Sequence, residues 1–445
     1  MAVDVFAIGG YEEVGMNMTA VKIDEKVFIL DMGIALDKMI LLQESGLPIN
    51  KKNLLQSGAI PDDSILDEFK GKVEAIILSH AHLDHIGAVG YLAARYNAPV
   101  IGTPFTIELL KSNIKDDKLN FNNFVVMNAG EELEFGDVTL EFIHSTHSVP
   151  QTVFPVLHTK YGAVFYGIDY KLDNKQKLSP PPDYKRIRKI GNKGVHALIV
   201  EAIRSGEKGK TPSESVALEM LKDTLRDNMA SKNAIVIACF SSHIERLNTI
   251  VEASKGMRRK VVFLGRSIGK YTDVAKKINF KKFPNVEIAG HQRAVRAILK
   301  KIARDKSKYI IVCTGGQGEP NAILSRIARK EYTFTIDPGD KIMFSCITIP
   351  TPVNIQNRKR LEDVLTTQGA RIFRDVHVSG HSAREDHREF LHMVKPEHII
   401  PCHGDIEKLA AFGTLAEEIN KELGQDKYII GKNVHLLRNG RRISI

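Results

Sequence analysis

Six consecutive residues, His80-Ala81-His82-Leu83-Asp84-His85, carry four potential metal ligands. They follow Val73-Glu74-Ala75-Ile76-Ile77-Leu78, an apolar run of strand character, and precede Ile86 to Ala94, which reads as helix. The ligands therefore fall on the loop leaving a strand and on the first turn of a helix. That placement demands a fold in which other chain segments bring further donors to the same sheet end. Neutral imidazole and carboxylate are the donor types of a catalytic zinc site. The bland alternative is a polar loop with a chance run of histidines, although the 445 residues contain only sixteen.

Matching partners lie further along. Asp31 ends Val27-Phe28-Ile29-Leu30, and His147 sits in Ser145-Thr146-His147-Ser148, a turn between two strand-like runs. Asp169 follows Ala163 to Ile168, and His403 follows Ile399-Ile400-Pro401-Cys402. Each is just past an apolar strand, where loops of one sheet end can converge. Any one alone reads as structural; the repeated placement carries the site.

This set resembles the metallo-β-lactamase superfamily. Phe240-Ser241-Ser242-His243-Ile244-Glu245-Arg246-Leu247, Thr314-Gly315-Gly316-Gln317-Gly318-Glu319-Pro320, His377-Val378-Ser379-Gly380-His381 and Pro401-Cys402-His403-Gly404-Asp405 are similar to the signatures of the β-CASP nucleases. Within that group they look most like the RNase J family, and the resemblance covers nearly the whole chain. Two departures stand out. The chain stops soon after the last motif, so the additional C-terminal domain of many bacterial members is expected to be absent, as in the shorter archaeal forms. The segment Ile34 to Lys52 is longer than the pattern requires, and its role stays open.

The resemblance implies a two-zinc phosphodiesterase centre, with manganese or magnesium as other candidate metals. His80, His82, His147 and Asp169 would hold one ion. Asp84, His85, Asp169 and His403 would hold the other, with Asp169 bridging and a hydroxide between the ions attacking phosphorus. Asp31 would orient a histidine or the nucleophilic water; otherwise it caps a turn. His381 is the candidate general acid and Glu201, which ends Ala197-Leu198-Ile199-Val200, its partner. A carboxylate beside an imidazole favours the protonated form. Read plainly, His381 is a loop histidine.

Phosphate recognition falls to Ser241 and Ser242, where a strand meets a helix, and to His377, Ser379 and Gly380. In RNase J-like enzymes such positions hold a 5′ monophosphate at a set distance from the metals, which makes a nuclease a 5′→3′ exonuclease. Ser241 as a simple helix N-cap is the competing reading. Gly315-Gly316-Gln317-Gly318 also reads as an anion-binding nest before a helix begun by Pro320.

The net charge of +10 favours a polyanionic partner, here single-stranded RNA. Basic clusters at Lys185-Arg186-Ile187-Arg188-Lys189, Arg258-Arg259-Lys260, Arg358-Lys359-Arg360 and Arg441-Arg442 are each an ordinary solvated face, or together a channel for RNA. Tryptophan is absent, so base stacking would fall to Tyr, Phe, His or Arg. Cys239, Cys313, Cys346 and Cys402 lie in or beside apolar runs without paired spacing, which points to reduced buried thiols. With no signal peptide or long uncharged apolar segment in view, a cytoplasmic location is the expectation.

Residues 1 to about 200 read as many short strands with few helices. From about Ser205, helices alternate with strands, the pattern of a parallel sheet covered on both faces. The expected fold is α/β: a metallo-β-lactamase αββα sandwich interrupted by an inserted β-CASP α/β domain with a mainly parallel sheet. Its segments are 1–205, 206–365 and 366–445, with a cleft between the two domains. The expected activity is 5′→3′ exoribonuclease, releasing nucleoside 5′-monophosphates in RNA decay and processing. An endoribonuclease, a DNA-directed nuclease and a non-catalytic RNA-binding subunit are the alternatives. The filled ligand positions speak against the last, and the inserted domain against a small-molecule hydrolase. A homodimer and other RNA-decay proteins are the further partners the resemblance suggests.

Overall fold

The computed structural model describes residues 3–229 and 231–445. Contacts divide the chain into two compact units. The first takes Met1–Leu172, Pro181–Thr211 and Gly380–Ile445; the second takes Asp173–Pro180 and Pro212–Ser379.

The first unit is built on two sheets. One contains β1 (Val3–Gly9), β2 (Met18–Ile23), β3 (Lys26–Leu30), β4 (Val73–Ile77), β5 (Val100–Gly102) and β6 (Phe124–Val126) in chain order. The other is a meander of β7 (Glu132–Phe135), β8 (Val138–His144), β9 (Val153–Thr159) and β10 (Gly162–Gly167), followed by β11 (Val195–Glu201). In the second unit, β12 (Ile235–Ala238), β13 (Lys260–Leu264), β14 (Glu287–Ala289), β15 (Tyr309–Cys313), β16 (Lys341–Phe344) and β17 (Arg371–Phe373) form one sheet, parallel throughout, in the order β14-β13-β15-β12-β16-β17. The chain then returns to the first unit. There β18 (His398–Cys402) pairs with β11 in parallel, and β19 (Arg441–Ser444) pairs with β1 antiparallel.

Alternation of apolar residues explains how the two sheets of the first unit meet. Val5, Val21, Phe28, Leu30 and Ile77 from one sheet share a fully buried core with Leu140, Phe142, Leu157, Val164, Tyr166, Ile199 and Ile400 from the other. The alternate residues of the second sheet, such as Phe154, Phe165, Leu198 and Val200, face outward. They are covered by Ile187 and Ile190 of helix Tyr184–Lys193, Phe390 and Val394 of helix Arg384–Val394, and Phe412 and Ile419 of helix Ile406–Leu423. Helix Pro104–Asp116 packs on β5 and β6 of the first sheet. This is a two-sheet sandwich with helices outside it, the architecture expected for the first unit.

The inner strands of the second unit, buried on both faces, are continuous runs such as Ile235-Val236-Ile237-Ala238, as an all-parallel sheet requires. Its helices include Glu214–Arg226, Ile244–Ala253, Arg266–Lys277 and Gln292–Ile302. The four cysteines are unpaired and buried. Among the described residues, no helix is long and apolar enough to cross a membrane.

Candidate metal centre

Parallel pairing brings the candidate residues together. Gly167 on β10 aligns with Val200 on β11, and Glu201 aligns with Cys402 on β18, so Asp169, Glu201 and His403 leave adjacent strand ends. Leu30 on β3 aligns with Ile77 on β4, which sets Asp31 beside Ser79 at the entry to the His80–His85 turn. His147 follows β8. The loop chemistry is thus a consequence of strand register.

Among the described residues, three groups of donors result. His80, His82, His147 and Asp169 have ligand atoms all within 4.8 Å of one another, as do Asp84, His85, Asp169 and His403, and Asp169, Glu201 and His381. Asp169 is the member common to all three. Its Oδ2 is 3.2 Å from His85 Nε2, 3.5 Å from His80 Nε2 and 3.7 Å from His147 Nε2; its Oδ1 is 3.4 Å from His403 Nε2. Asp84 Oδ2 lies 3.6 Å from His85 Nε2 and 3.9 Å from His403 Nε2.

The outer hydrogen bonds aim the imidazole lone pairs inward. His147 Nδ1 lies 2.7 Å from the Gly380 carbonyl, an acceptor only, so it carries the proton and leaves Nε2 bare. His85 Nδ1 donates likewise to Asp31 Oδ2 at 2.7 Å. Ser79 donates its hydroxyl to Asp31 Oδ2 at 2.7 Å and so accepts from His80 Nδ1 at 3.0 Å. His80 Nε2 and His147 Nε2 then stand 3.0 and 3.2 Å from His82 Nδ1. A proton on His82 Nδ1 could serve only one of these two contacts, so bare nitrogens still face one another, a repulsion that a cation among them would remove. Asp169 Oδ1 is buried with no hydrogen-bond partner among the described residues, a cost of about 1–3 kcal/mol that a cation would remove. The residues therefore fit divalent metal ions, and the mixed nitrogen and oxygen donors suit zinc.

Two donors face the second group from outside. The Gly15 amide reaches His403 Nδ1 at 3.1 Å, and Asn17 Nδ2 lies 3.0 Å from His85 Nε2. That group is consequently less committed to a cation than the first.

Protonation follows the same geometry. Burial, aided by charge on His85, holds His80 well below its ordinary value. Burial also brings His82 down to about 4 and, with His381 and His82, lowers His147. All three are therefore neutral, as ligands must be. Burial disfavours charge on His85 too, but Asp169, Asp84 and Asp31 outweigh it and raise its proton affinity. Asp169 is pushed up by burial and pulled further down by His403, His85 and His381, so it is ionised.

His381 Nδ1 is 2.7 Å from Glu201 Oε2 and 4.0 Å from Asp169 Oδ1. Burial works against its charge; Glu201 and Asp169 prevail and raise it to about 9. Glu201 is itself held by the Tyr170 amide at 3.0 Å. Asp31, Asp169 and His403 have φ of 58°, 46° and 53°, a left-handed conformation that costs a non-glycine residue roughly 1–2 kcal/mol. Such strain concentrates where function requires a side chain to be aimed.

Residues expected to bind phosphate divide between the units. Gly380 belongs to the first, where its carbonyl serves His147. Ser241, Ser242, His377 and Ser379 belong to the second. There, helix Ile244–Ala253 has His243 as its N-cap and no side-chain cap, so the N-cap reading of Ser241 fails. The helix expected to begin at Pro320 starts instead at Ile323, because the glycine loop continues as a turn. Sequence reasoning assigned no role to Arg246, which is fully buried. Its guanidinium grips Glu214, at 2.9 Å for Nη2, and donates to the Ser345 carbonyl at 3.0 Å and to His377 Nδ1 at 3.1 Å. Accepting at Nδ1 leaves a neutral His377 with its proton on Nε2, a ready anion donor.

Several cluster cations are engaged in structure. Arg186 pairs with Glu141, Nη2 to Oε2 at 2.7 Å, and Arg358 with Glu362 at 2.6 Å. Arg259 donates to the Asn233 carbonyl at 2.9 Å. Arg441 and Arg442 lie in the edge strand β19. Lys185, Arg188, Lys189, Arg258, Lys260, Lys359 and Arg360 remain exposed.

Comparison with known proteins accords with both units. Residues 12–160 match the metallo-beta-lactamase superfamily, 232–384 the Ribonuclease J beta-CASP domain, and 370–430 the Zn-dependent metallo-hydrolase RNA specificity domain. Ribonuclease J of Methanocaldococcus jannaschii is 45% identical, over 100% of this chain and 99% of its own. The Pyrococcus abyssi Ribonuclease J is 41% identical over 100% and 97%, and Ribonuclease J 2 of Staphylococcus aureus 29% over 93% and 71%. A crystal structure of a protein of unknown function from Enterococcus faecalis V583 superposes with a TM-score of 0.66 at 18% identity over all of both chains, a likeness of fold. With the sandwich, the inserted parallel-sheet unit and near-complete alignment to two archaeal relatives in agreement, the chain belongs to the Ribonuclease J family, in the β-CASP group of the metallo-β-lactamase superfamily.

Proposed function

We propose that this chain is a metal-dependent ribonuclease that degrades single-stranded RNA 5′→3′ from a 5′-monophosphate end and releases nucleoside 5′-monophosphates. The convergence of two four-donor groups on the shared carboxylate of Asp169 carries the reading. Two divalent cations, held by His80, His82, His147 and Asp169 and by Asp84, His85, Asp169 and His403, would activate water and offset charge on the phosphate. The chain's own contribution is positioning and proton delivery. Asp31, Ser79 and the Gly380 carbonyl fix three imidazoles. Glu201 keeps His381 protonated and oriented, which suits donation to the departing ribose 3′ oxygen. Ser241, Ser242, His377 and Ser379 are assigned to the terminal phosphate, with Arg246 setting the tautomer of His377.

The test is cleavage of 3′-labelled RNAs that differ only at the 5′ end. A 5′ monophosphate should give processive loss of the strand with mononucleotide products, and a 5′ triphosphate should slow it. Cleavage that begins internally and ignores the 5′ group would replace this reading with an endoribonuclease.

A further inference from the structure

The second unit contains a cavity of about 560 Å³ that shares one residue, Ser241, with the proposed terminal-phosphate set and otherwise has no part in the proposed chemistry. It lies at the carboxyl ends of four neighbouring parallel strands. Cys239 to Ser241 follow β12, Gly265 to Ser267 follow β13, Gly290 to Gln292 follow β14, and Thr314 to Gly316 follow β15; all line it. From β13 the chain crosses to β14 on one side, whereas from β15 it crosses to β16 on the other. The adjacent pair β13 and β15 is therefore a point where strand order reverses, as β12 and β16 are, and open parallel sheets bind ligands in the crevices formed at such points.

The lining has the chemistry of an anion site with room beside it. Helix Arg266–Lys277 and helix Gln292–Ile302 both begin at the cavity, presenting unpaired backbone amides. Arg266 is exposed and makes no hydrogen bond or ion pair among the described residues. Arg326 spends Nε on Glu331 and lies over the Tyr332 ring at 4.9 Å. Gly315 has φ of 117°, and a Cβ there would approach Leu324 Cβ to 2.8 Å, so only glycine keeps this rim in place. One observation is independent of the helix ends: Tyr332, which lines the cavity, is only 7% exposed, and its hydroxyl has no hydrogen-bond partner among the described residues. A buried phenol left unpaired costs free energy unless a ligand satisfies it. Glu319 adds a largely buried carboxyl group to the same wall.

We infer that this crevice binds one nucleotide unit, its phosphate taken by Arg266 and the two helix N-termini and its sugar or base by Tyr332 and Glu319. The volume exceeds what a bare phosphate needs and falls in the range of small-molecule sites. The unit is either a free mononucleotide or one residue of an RNA strand. The site shares Ser241 with the residues given to the terminal phosphate, whereas His377 and Ser379 are not among its lining residues.

Calorimetry on the full chain decides the matter, with the double variant Asp84→Ala, His85→Ala as background so that RNA survives. AMP should bind, adenosine should bind at least about tenfold more weakly, and Arg266→Gln should weaken AMP by about tenfold or more. Arg266 is exposed, so an unchanged melting temperature will show that the variant folds. A 5′-hydroxyl oligoribonucleotide that loses affinity in step with AMP upholds the site and names the strand as its source. An oligoribonucleotide indifferent to Arg266→Gln, with AMP sensitive, upholds it with the free nucleotide as occupant. AMP binding that survives Arg266→Gln and Tyr332→Phe but vanishes with His377→Ala overturns the inference while leaving the terminal-phosphate reading standing.

Discussion

The carbonyl of Gly380 accepts the Nδ1 proton of His147 at 2.7 Å, joining residues 233 positions apart and fixing which nitrogen of that ring faces Asp169. A Cβ at position 380 would stand 3.0 Å from both His147 Cε1 and Ser148 Cβ. Gly380→Val should therefore tilt the ring and weaken metal binding by about 10–100-fold, the usual cost of losing an orienting partner. Metal titration checks this; unaltered affinity would show that the ring is held by other contacts.

Asp31 has the same office for His85 and, through Ser79, for His80. Asp31→Ala should likewise lower metal affinity by about 10–100-fold with little change in the fold, seen by circular dichroism. Retention of wild-type affinity would reduce Asp31 to a turn residue.

The two donor groups are expected to differ in strength. Gly15 and Asn17 present amide donors to nitrogens of the His85/His403 group, whereas in the His80/His82/His147 group His82 Nε2 faces the Ser148 hydroxyl at 3.4 Å, which can turn to accept instead. Stepwise chelation should thus remove one ion per chain before the other. Replacing Asn17 by Ala should narrow the gap, and simultaneous loss of both ions would contradict the inequality.

Alkaline pH should inhibit turnover through His381. Burial opposes its charge, yet Glu201 and Asp169 lift it to about 9, so the proton is present below that value and lost above it. Activity that requires this proton falls as pH rises through 9. Glu201→Gln removes the largest favourable charge and should shift the limb to lower pH. His381→Ala should cut kcat about 10²–10⁴-fold while metal content is kept. An alkaline limb unmoved by Glu201→Gln would exclude His381 as its source.

Arg246 and Glu214 form a buried pair whose separation should be costly. Arg246→Met deprives the buried Glu214 of this partner, with about 3–5 kcal/mol lost in urea unfolding. Glu214→Leu added to it should restore much of that stability. The double variant should still lose preference for 5′-monophosphate over 5′-hydroxyl RNA, because His377 is no longer held. A double variant that keeps the preference would detach Arg246 from phosphate recognition.

Ligand positions were legible because His80, His147, Asp169 and His403 follow apolar strands by one to three residues, with His82, Asp84 and His85 continuing the first of these loops, and strand runs are readable. The helix Ile244–Ala253 and the strand from Tyr309 were visible for the same reason. What stayed hidden depends on tertiary pairing. A backbone carbonyl such as that of Gly380 carries no residue signature, and Glu214 meets Arg246 only across 32 positions. The left-handed backbones of Asp31, Asp169 and His403 have no local signal. Arg441 and Arg442 read as a basic patch but form an edge strand, because pairing with β1 overrides their polarity. The short strand Glu287–Ala289, largely exposed, lacks the apolar run that would reveal it.

The shared carboxylate of Asp169 is tested most directly by metal analysis of wild-type protein and Asp169→Asn on the same preparation. Two ions per wild-type chain and the loss of both in folded Asp169→Asn are expected. A variant that retains the wild-type metal content would contradict the bridged centre.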